Sequence, residues 1–363
     1  MGYQYKRTIT ISATLCGTVN TSNFTFLVSG TYSWMATIAN GGKIQNTVTV
    51  TQGTRSITVP ADLVFSTDGA GSSLLSWEWE SYNATTGAVV LWVKVPTLSA
   101  SVNTVIYAVY NNSAVTTFQG GGRGAAWDAG VGYCYHFPDK STLYLQDSTT
   151  NASDLTNNNS CPATTGEIYG SAGFTSSSSQ SLSVAAAPVS AFPTTMRGWM
   201  KNTSGHPYSS DDQTLVNQIG AAYGFGMDEY VGAGVAYRRL IALQLPFTGG
   251  SAQFFNSYSF TLDTNWHLWH GVFTNTSTFL LYLDGVLLTA TSTTGTPFAP
   301  TGGMTTTNIG ASHNGSIDEV RIVNTSLTQS QITAEYNSES SPSTFYAVGV
   351  EMMQQASGAW FGF

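Results

Sequence analysis

Charge is what this sequence has least of. Only 9% of its 363 residues are Asp, Glu, Lys or Arg, against ~25% in ordinary soluble domains. Twelve Lys and Arg are spread thinly against twenty Asp and Glu, for a net charge of −8. No basic cluster forms, which argues against a nucleic-acid partner. Cysteine is scarce as well. Cys16, Cys134 and Cys161 make an odd count, so there is no disulfide framework. Cys134 and Cys161 fall in one half of the chain and are the pair open to bridging, but the expectation is that all three are free. No window approaches the ~18 apolar residues of a membrane helix, so no membrane span is expected. The opening MGYQYKRTITIS enters a strand pattern with no apolar leader. The expectation is a removed leader or another exit from the cell, such as lysis inside a virus particle.

What is present is strand. Hydrophobic residues make up 42%, enough for a core, and Ser, Thr, Asn and Gly fill the remainder. Polar and apolar residues alternate in KRTITIS and VNTVIYAVYNN, and LLSWEWESYNATTGAVVLWVKVPTLS reads as a hairpin turning at Thr86-Gly87. The stretch NGGKIQNTVTVTQGTRSITVPA reads as a local hairpin of its own. Residues 1–118 therefore form a first β-sandwich. Gly120-Gly121-Gly122-Arg123-Gly124 reads as a linker over residues 119–125. A second set of strands fills residues 126–350. In NWHLWHGVFTNTSTFLLYLDGVLL, two apolar runs flank a polar NTST, and Asp284-Gly285 is a hairpin-turn dipeptide. Helical periodicity is convincing only at Leu327–Tyr336, where Leu327, Ile332 and Tyr336 share a face and Thr325 or Ser326 caps. Residues 351–363 form an apolar tail ending in Trp360-Phe361-Gly362-Phe363. It is expected to pack on the first domain or on another subunit, with Trp360, Phe361 and Phe363 as assembly contacts.

Several of these segments carry resemblances. YKRTITI, DLVFSTD, WEWESYNATTGAVVLWVKVPTLS and VIYAVYNN, in that order, resemble a family of β domains of unknown function, which precede laminin-G-like domains in bacterial surface and phage proteins. The NGGKIQNTVTVTQGTRSITVPA stretch departs from that family's pattern. GYCYHFPD, the LDGVLL hairpin and GSIDEVRIVNTSLTQSQITAEY resemble the laminin-G-like, concanavalin A-like jelly roll. The implied fold class is all-β: an N-terminal β-sandwich followed by a concanavalin A-like (laminin-G-like) jelly-roll sandwich.

Chemistry is harder to find. Retaining glycosidases need two carboxylates ~5.5 Å apart, and glycosidases on this fold resemble a Glu-x-Asp-x-x-Glu run that this chain lacks. Glu78 and Glu80 share a strand face by spacing and are read as its solvated side. Asp318 and Glu319 point to opposite faces at a position that is structural in the resembling family. His136, His206, His267, His270 and His313 show no metal spacing, and there is no Gly-x-Ser-x-Gly elbow. The resemblance implies Ca²⁺ as a cofactor, with Asp211 and Asp212 as leading candidates and Asp228 and Glu229 behind them. For a glycan, the candidates are Tyr208, Tyr230 and Asp228, with Tyr223 and Tyr237 nearby. Trp266 and Trp269 are read as core.

These readings converge on a non-catalytic structural and binding protein on the outside of a virus particle, as a phage tail or capsid decoration, with glycan binding for host or surface adhesion. The expected partners are other virion or surface proteins, further copies of this chain as a homo-oligomer, and a surface polysaccharide. The alternative is a secreted, cell-surface bacterial carbohydrate-binding or adhesion protein. A glycoside hydrolase ranks behind both.

Overall fold

In this computed structural model, residues 2–188, 191–203, 213–221, 223–232, 235–244, 253–261, 263–298 and 303–354 are described. Among them the chain divides into two compact units, residues 2–128 with 337–354, and the described part of 129–336.

The first unit is a β-sandwich. One sheet places Tyr5–Ile11 between Thr104–Tyr110 and Tyr346–Val348, with Leu63–Ser66 beyond Thr104–Tyr110. The other joins Thr21–Thr31, Ala88–Leu98 and Trp77–Asn83. Aromatic rings fill the space between them: Phe65 meets Trp77 at 5.4 Å and Trp34 stacks on Tyr110 at 4.4 Å. Burying such rings is the main favourable term for a chain with few charges. NGGKIQNTVTVTQGTRSITVPA does form its own hairpin, with Thr47–Gln52 paired to Arg55–Pro60 around Gly53-Thr54.

Two expected boundaries move. The Gly-rich stretch is built into the first unit: the Gly120 carbonyl accepts the Trp77 amide at 3.0 Å, and a Cβ at Gly120 would lie 2.1 Å from the Trp77 carbonyl. It is not a free linker. At the other end, residues 337–354 belong to the first unit rather than to the jelly roll. Tyr346–Val348 pairs with Ile9–Ile11, and Met352–Met353 pairs with Tyr5 and Lys6. Phe345 is fully buried 6.4 Å from both Phe24 and Phe26. A strand partner far along the chain leaves no local signal, so the sequence could not announce it.

The second unit packs two eight-stranded sheets face to face. One runs Thr156–Asn158, Ser181–Val184, Met304–Ile309, Gln213–Gly220, Tyr223–Gly232, Val235–Gln244, Gln253–Phe260 and Ser292–Gly295. The other is centred on Gly315–Val323, Thr194–Asn202 and His267–Phe273. Phe225, Met227, Leu240 and Phe254 from the first meet Met196, Trp269, Phe273 and Ile317 from the second in one core. The Asp284-Gly285 turn is present, with both residues at positive φ (51° and 79°) and Leu283 opposite Val286. That is the backbone a two-residue primed turn requires. The helix spans Gln329–Ser340. Its cap is Thr328 rather than Thr325 or Ser326: Thr328 Oγ1 accepts the Gln331 amide and Gln331 Oε1 accepts the Thr328 amide, a capping box. Leu327 and Ile332 bury against Val272, Tyr282 and Val323 as their spacing implies.

Candidate functional site

Strand alternation sorts the side chains of the long sheet into two sets. On Tyr223–Gly232, Phe225, Met227 and Glu229 face inward, so Asp228 faces outward. Asp228 lies directly across from Arg239 on the next strand. The two form a bidentate pair, with Nε to Oδ1 at 2.9 Å and Nη2 to Oδ2 at 2.7 Å. The Arg239 guanidinium also sits 5.4 Å from the Phe255 ring centroid. Two strands away, Asn308 donates to Asn217 at 3.0 Å. The outward side of these strands thus carries a guanidinium held by a largely buried carboxylate, an aromatic ring and, farther along the sheet, two amides. Planar donors and acceptors beside a ring are what a polyhydroxylated ligand needs.

Glu229 goes the other way. It is fully buried and bonds Arg238 at 2.8 Å, while that guanidinium lies 4.6 Å from the Trp269 ring centroid. This pair belongs to the core, so Glu229 is not a rim ligand for Ca²⁺. Asp228 points away from the core but is itself largely buried, tied to Arg239. Tyr230 lies in the same strand opposite Tyr237, and its side chain lies outside the described residues. Tyr208, Asp211, Asp212, Trp360, Phe361 and Phe363 also lie outside them. Trp269 is buried core, as expected, whereas Trp266 is only half-buried.

The sandwich also holds a polar line that the sequence reading missed. Cys134 Sγ is 3.5 Å from His136 Nε2, and His136 Nδ1 is 2.6 Å from Glu319 Oε1. Arg321 holds the other Glu319 oxygen at 2.8 Å, and Arg197 donates to the Glu319 carbonyl at 3.0 Å. Arg197 continues to Glu335 at 3.2 Å, which also takes His270 Nε2 at 2.9 Å. Burial alone would lower the His136 pKa, but Cys134 and Glu319 outweigh it and raise it well above the ordinary value. Burial pushes the Cys134 thiol up. Burial would also raise Glu335, but Arg197, His270 and Arg321 hold its carboxyl down at about 2.

Cys, His and Glu in this order could activate a thiol. Here Cys134 is 0% exposed, His136 5% and Glu319 0%, so no substrate reaches the sulfur. Each of the three offers a ligand atom, all within 4.8 Å of one another, but His136 turns one ring nitrogen to Cys134 and the other to Glu319, so an ion joining all three would displace one of those contacts. The signal was parity: Cys134 and His136 are two apart on one strand face.

The first domain corrects one further reading. A register shift between Trp79 and Ser81 inserts a bulge at Glu80. Glu80 is therefore 1% exposed and accepts the Trp92 indole N–H at 3.2 Å. Glu78 accepts the Trp127 indole at 3.0 Å. Neither belongs to a freely solvated face.

With this geometry in hand, comparison with known proteins supports the two-domain arrangement. Residues 174–333 match the family model described as the concanavalin A-like lectin/glucanases superfamily. Residues 60–152 match that of a domain of unknown function, DUF2341. No curated protein matches the chain. Among solved structures, domain 4 of an extracellular arabinanase from Geobacillus stearothermophilus, in complex with arabinotriose, is similar at 19% identity and a TM-score of 0.39. That match covers 56% of this chain and 96% of the other. The serotype D botulinum neurotoxin ligand-binding domain in complex with N-acetylneuraminic acid is similar at 16% identity and a TM-score of 0.40, covering 57% and 50%. The binding domain of Paraclostridial Mosquitocidal Protein 1 gives 13% identity and 0.40, covering 58% and 52%. The chain spans about half the length of these toxin domains.

Proposed function

We propose that this chain, a DUF2341 domain followed by a concanavalin A-like sandwich, is a non-catalytic protein that binds a surface glycan. The observation that carries this reading is the outward row of the long sheet, where the Arg239 guanidinium, held by the largely buried Asp228, lies beside the Phe255 ring and the Asn217–Asn308 amides continue the row three and four strands away. The family match to lectins and glucanases agrees with a saccharide ligand. A binding role is favoured over hydrolysis because Asp228 and Glu229 face opposite sides of the sheet and each is held by an arginine. Paired acids flanking one bond are what hydrolysis requires.

The test is a polysaccharide array probed with the full chain, followed by calorimetry on any hit. A saccharide is expected to bind without release of reducing ends, and Asn217→Ala and Phe255→Ala are each expected to weaken it about tenfold. Binding unchanged in both variants, or new reducing ends, would overturn the reading. For location, we propose the outside of a virus particle, supported by the charge-poor, hydroxyl-rich composition. Mass spectrometry of purified particles from the source checks this, and absence from every particle fraction would favour a secreted adhesion protein.

A further inference from the structure

The first domain contains a pocket of about 250 Å³ that the glycan reading does not use. Its floor is Trp77 and Trp79, two apart on one strand and packed edge to face at 5.1 Å. One wall is the hairpin Thr47–Gln52 and Arg55–Pro60, through Gln52 and Arg55. The other is the Gly-rich stretch, through Gly122 and Arg123. These are the inserted hairpin that departs from the resembling family and the segment whose composition reads as a linker. Two segments that looked incidental in the sequence thus enclose one space.

The polar groups around it are fixed in place. Arg55 donates to the carbonyls of Trp79, at 3.5 Å, and Glu80. Glu78, which also lines the pocket, is anchored by the Trp127 indole. A second observation concerns the floor. The indole N–H groups of Trp77 and Trp79 are buried, and neither has a hydrogen-bond partner among the described residues. A buried donor left unpaired costs about 1–3 kcal/mol, so an acceptor entering from the pocket is the group that would relieve it.

We infer that this pocket is a second ligand site, taking a single pyranose ring of a saccharide. The volume is below that of sites for drug-sized ligands, which suits one ring. Trp77 and Trp79, 1% and 6% exposed, floor the space with ring edges rather than open faces, so the pyranose is held mainly through its hydroxyls. These hydroxyls both donate, toward Glu78, and accept, toward Arg55, Arg123 and the indoles. A quaternary ammonium would also like the rings, but two guanidiniums in the walls repel it.

The inference stands apart from the outer face of the sandwich, and the experiment keeps the two separate. Saturation-transfer NMR on the full chain uses glucose, galactose, N-acetylglucosamine, glucuronic acid, choline and adenosine as probes. At least one pyranose is expected to bind. Gly122→Leu is expected to abolish that binding, because a Cβ at Gly122 meets nothing within 4 Å and the longer side chain fills open space without strain. Trp79→Phe, which keeps a ring and removes the N–H, is expected to weaken binding about tenfold. Each measurement is made in a Phe255→Ala background, which removes the outer face of the sandwich from the signal. No pyranose bound, binding indifferent to Gly122→Leu in a chain whose melting temperature is unaltered, or choline or adenosine bound in place of the sugars would each overturn the inference.

Discussion

At the residue scale, the scarcity of charge makes each buried charge consequential. Arg238 and Glu229 are both fully buried and bond each other. Removing one partner strands the other, which costs about 3–5 kcal/mol, whereas replacing both with apolar groups of similar size is often neutral. Arg238→Met alone should therefore destabilise the sandwich strongly, and Arg238→Met with Glu229→Leu should recover most of the loss in urea melts. Glu335 sets a pH dependence. Its carboxyl sits at about 2 against an ordinary 4.5, so its contribution is fully present above about 4.5 and disappears as pH falls toward 2. At about 1.4 kcal/mol per unit this amounts to roughly 3 kcal/mol. His136 is shifted upward, so its contribution is complete below the ordinary 6.5 and fades as pH rises through the elevated value. Thermal melts across pH should decline on both sides, and Glu335→Gln should flatten the acid limb alone. None of these pairs could be read from spacing. Glu319 and His136 are 183 residues apart, and only the fold brings them together.

At the element scale, local signals were the legible ones. The Asp284-Gly285 turn, the Thr47–Pro60 hairpin and the helix after Ser326 each carry their cause within a few residues. Even there the cap moved to Thr328, because Gln331 three residues on completes a reciprocal pair that Thr325 and Ser326 lack. Thr328→Ala should cost about 1 kcal/mol, readable as a small fall in the melting temperature of the sandwich. Glu80 shows the limit of parity. Glu78 and Glu80 would share a face on a regular strand, but the register shift beside Trp79 turns Glu80 inward toward Trp92. A bulge leaves little trace in composition, so alternation misassigned the residue. The outer-face candidates fared unevenly for the same reason. Asp228 was recognisable as a polar residue in an apolar strand, while its partner Arg239, and the amides Asn217 and Asn308, came into view only through cross-strand register.

At the scale of the whole molecule, the sequence showed two sandwiches in the right order but assigned the C-terminal segment to the wrong one. Residues 346–348 look like one more jelly-roll strand, since the core of either sandwich accepts Tyr and Val equally well. Pairing decides it: Tyr346 lies opposite Ile11, and its hydroxyl donates to the Ser29 carbonyl at 3.1 Å. The two assignments predict different behaviour for one residue. Phe345 is 0% exposed and packs on Phe24 and Phe26, and truncating a buried Phe costs about 3–5 kcal/mol. In calorimetry of the full chain, Phe345→Ala should lower the transition assigned to the first unit, identified by a matching fall in Phe26→Ala. The transition lowered by Met227→Ala, a core residue of the sandwich, should stay where it is. If Phe345→Ala instead moves with Met227→Ala, the last strands belong to the jelly roll after all, and the division of the chain at Asn337 is wrong.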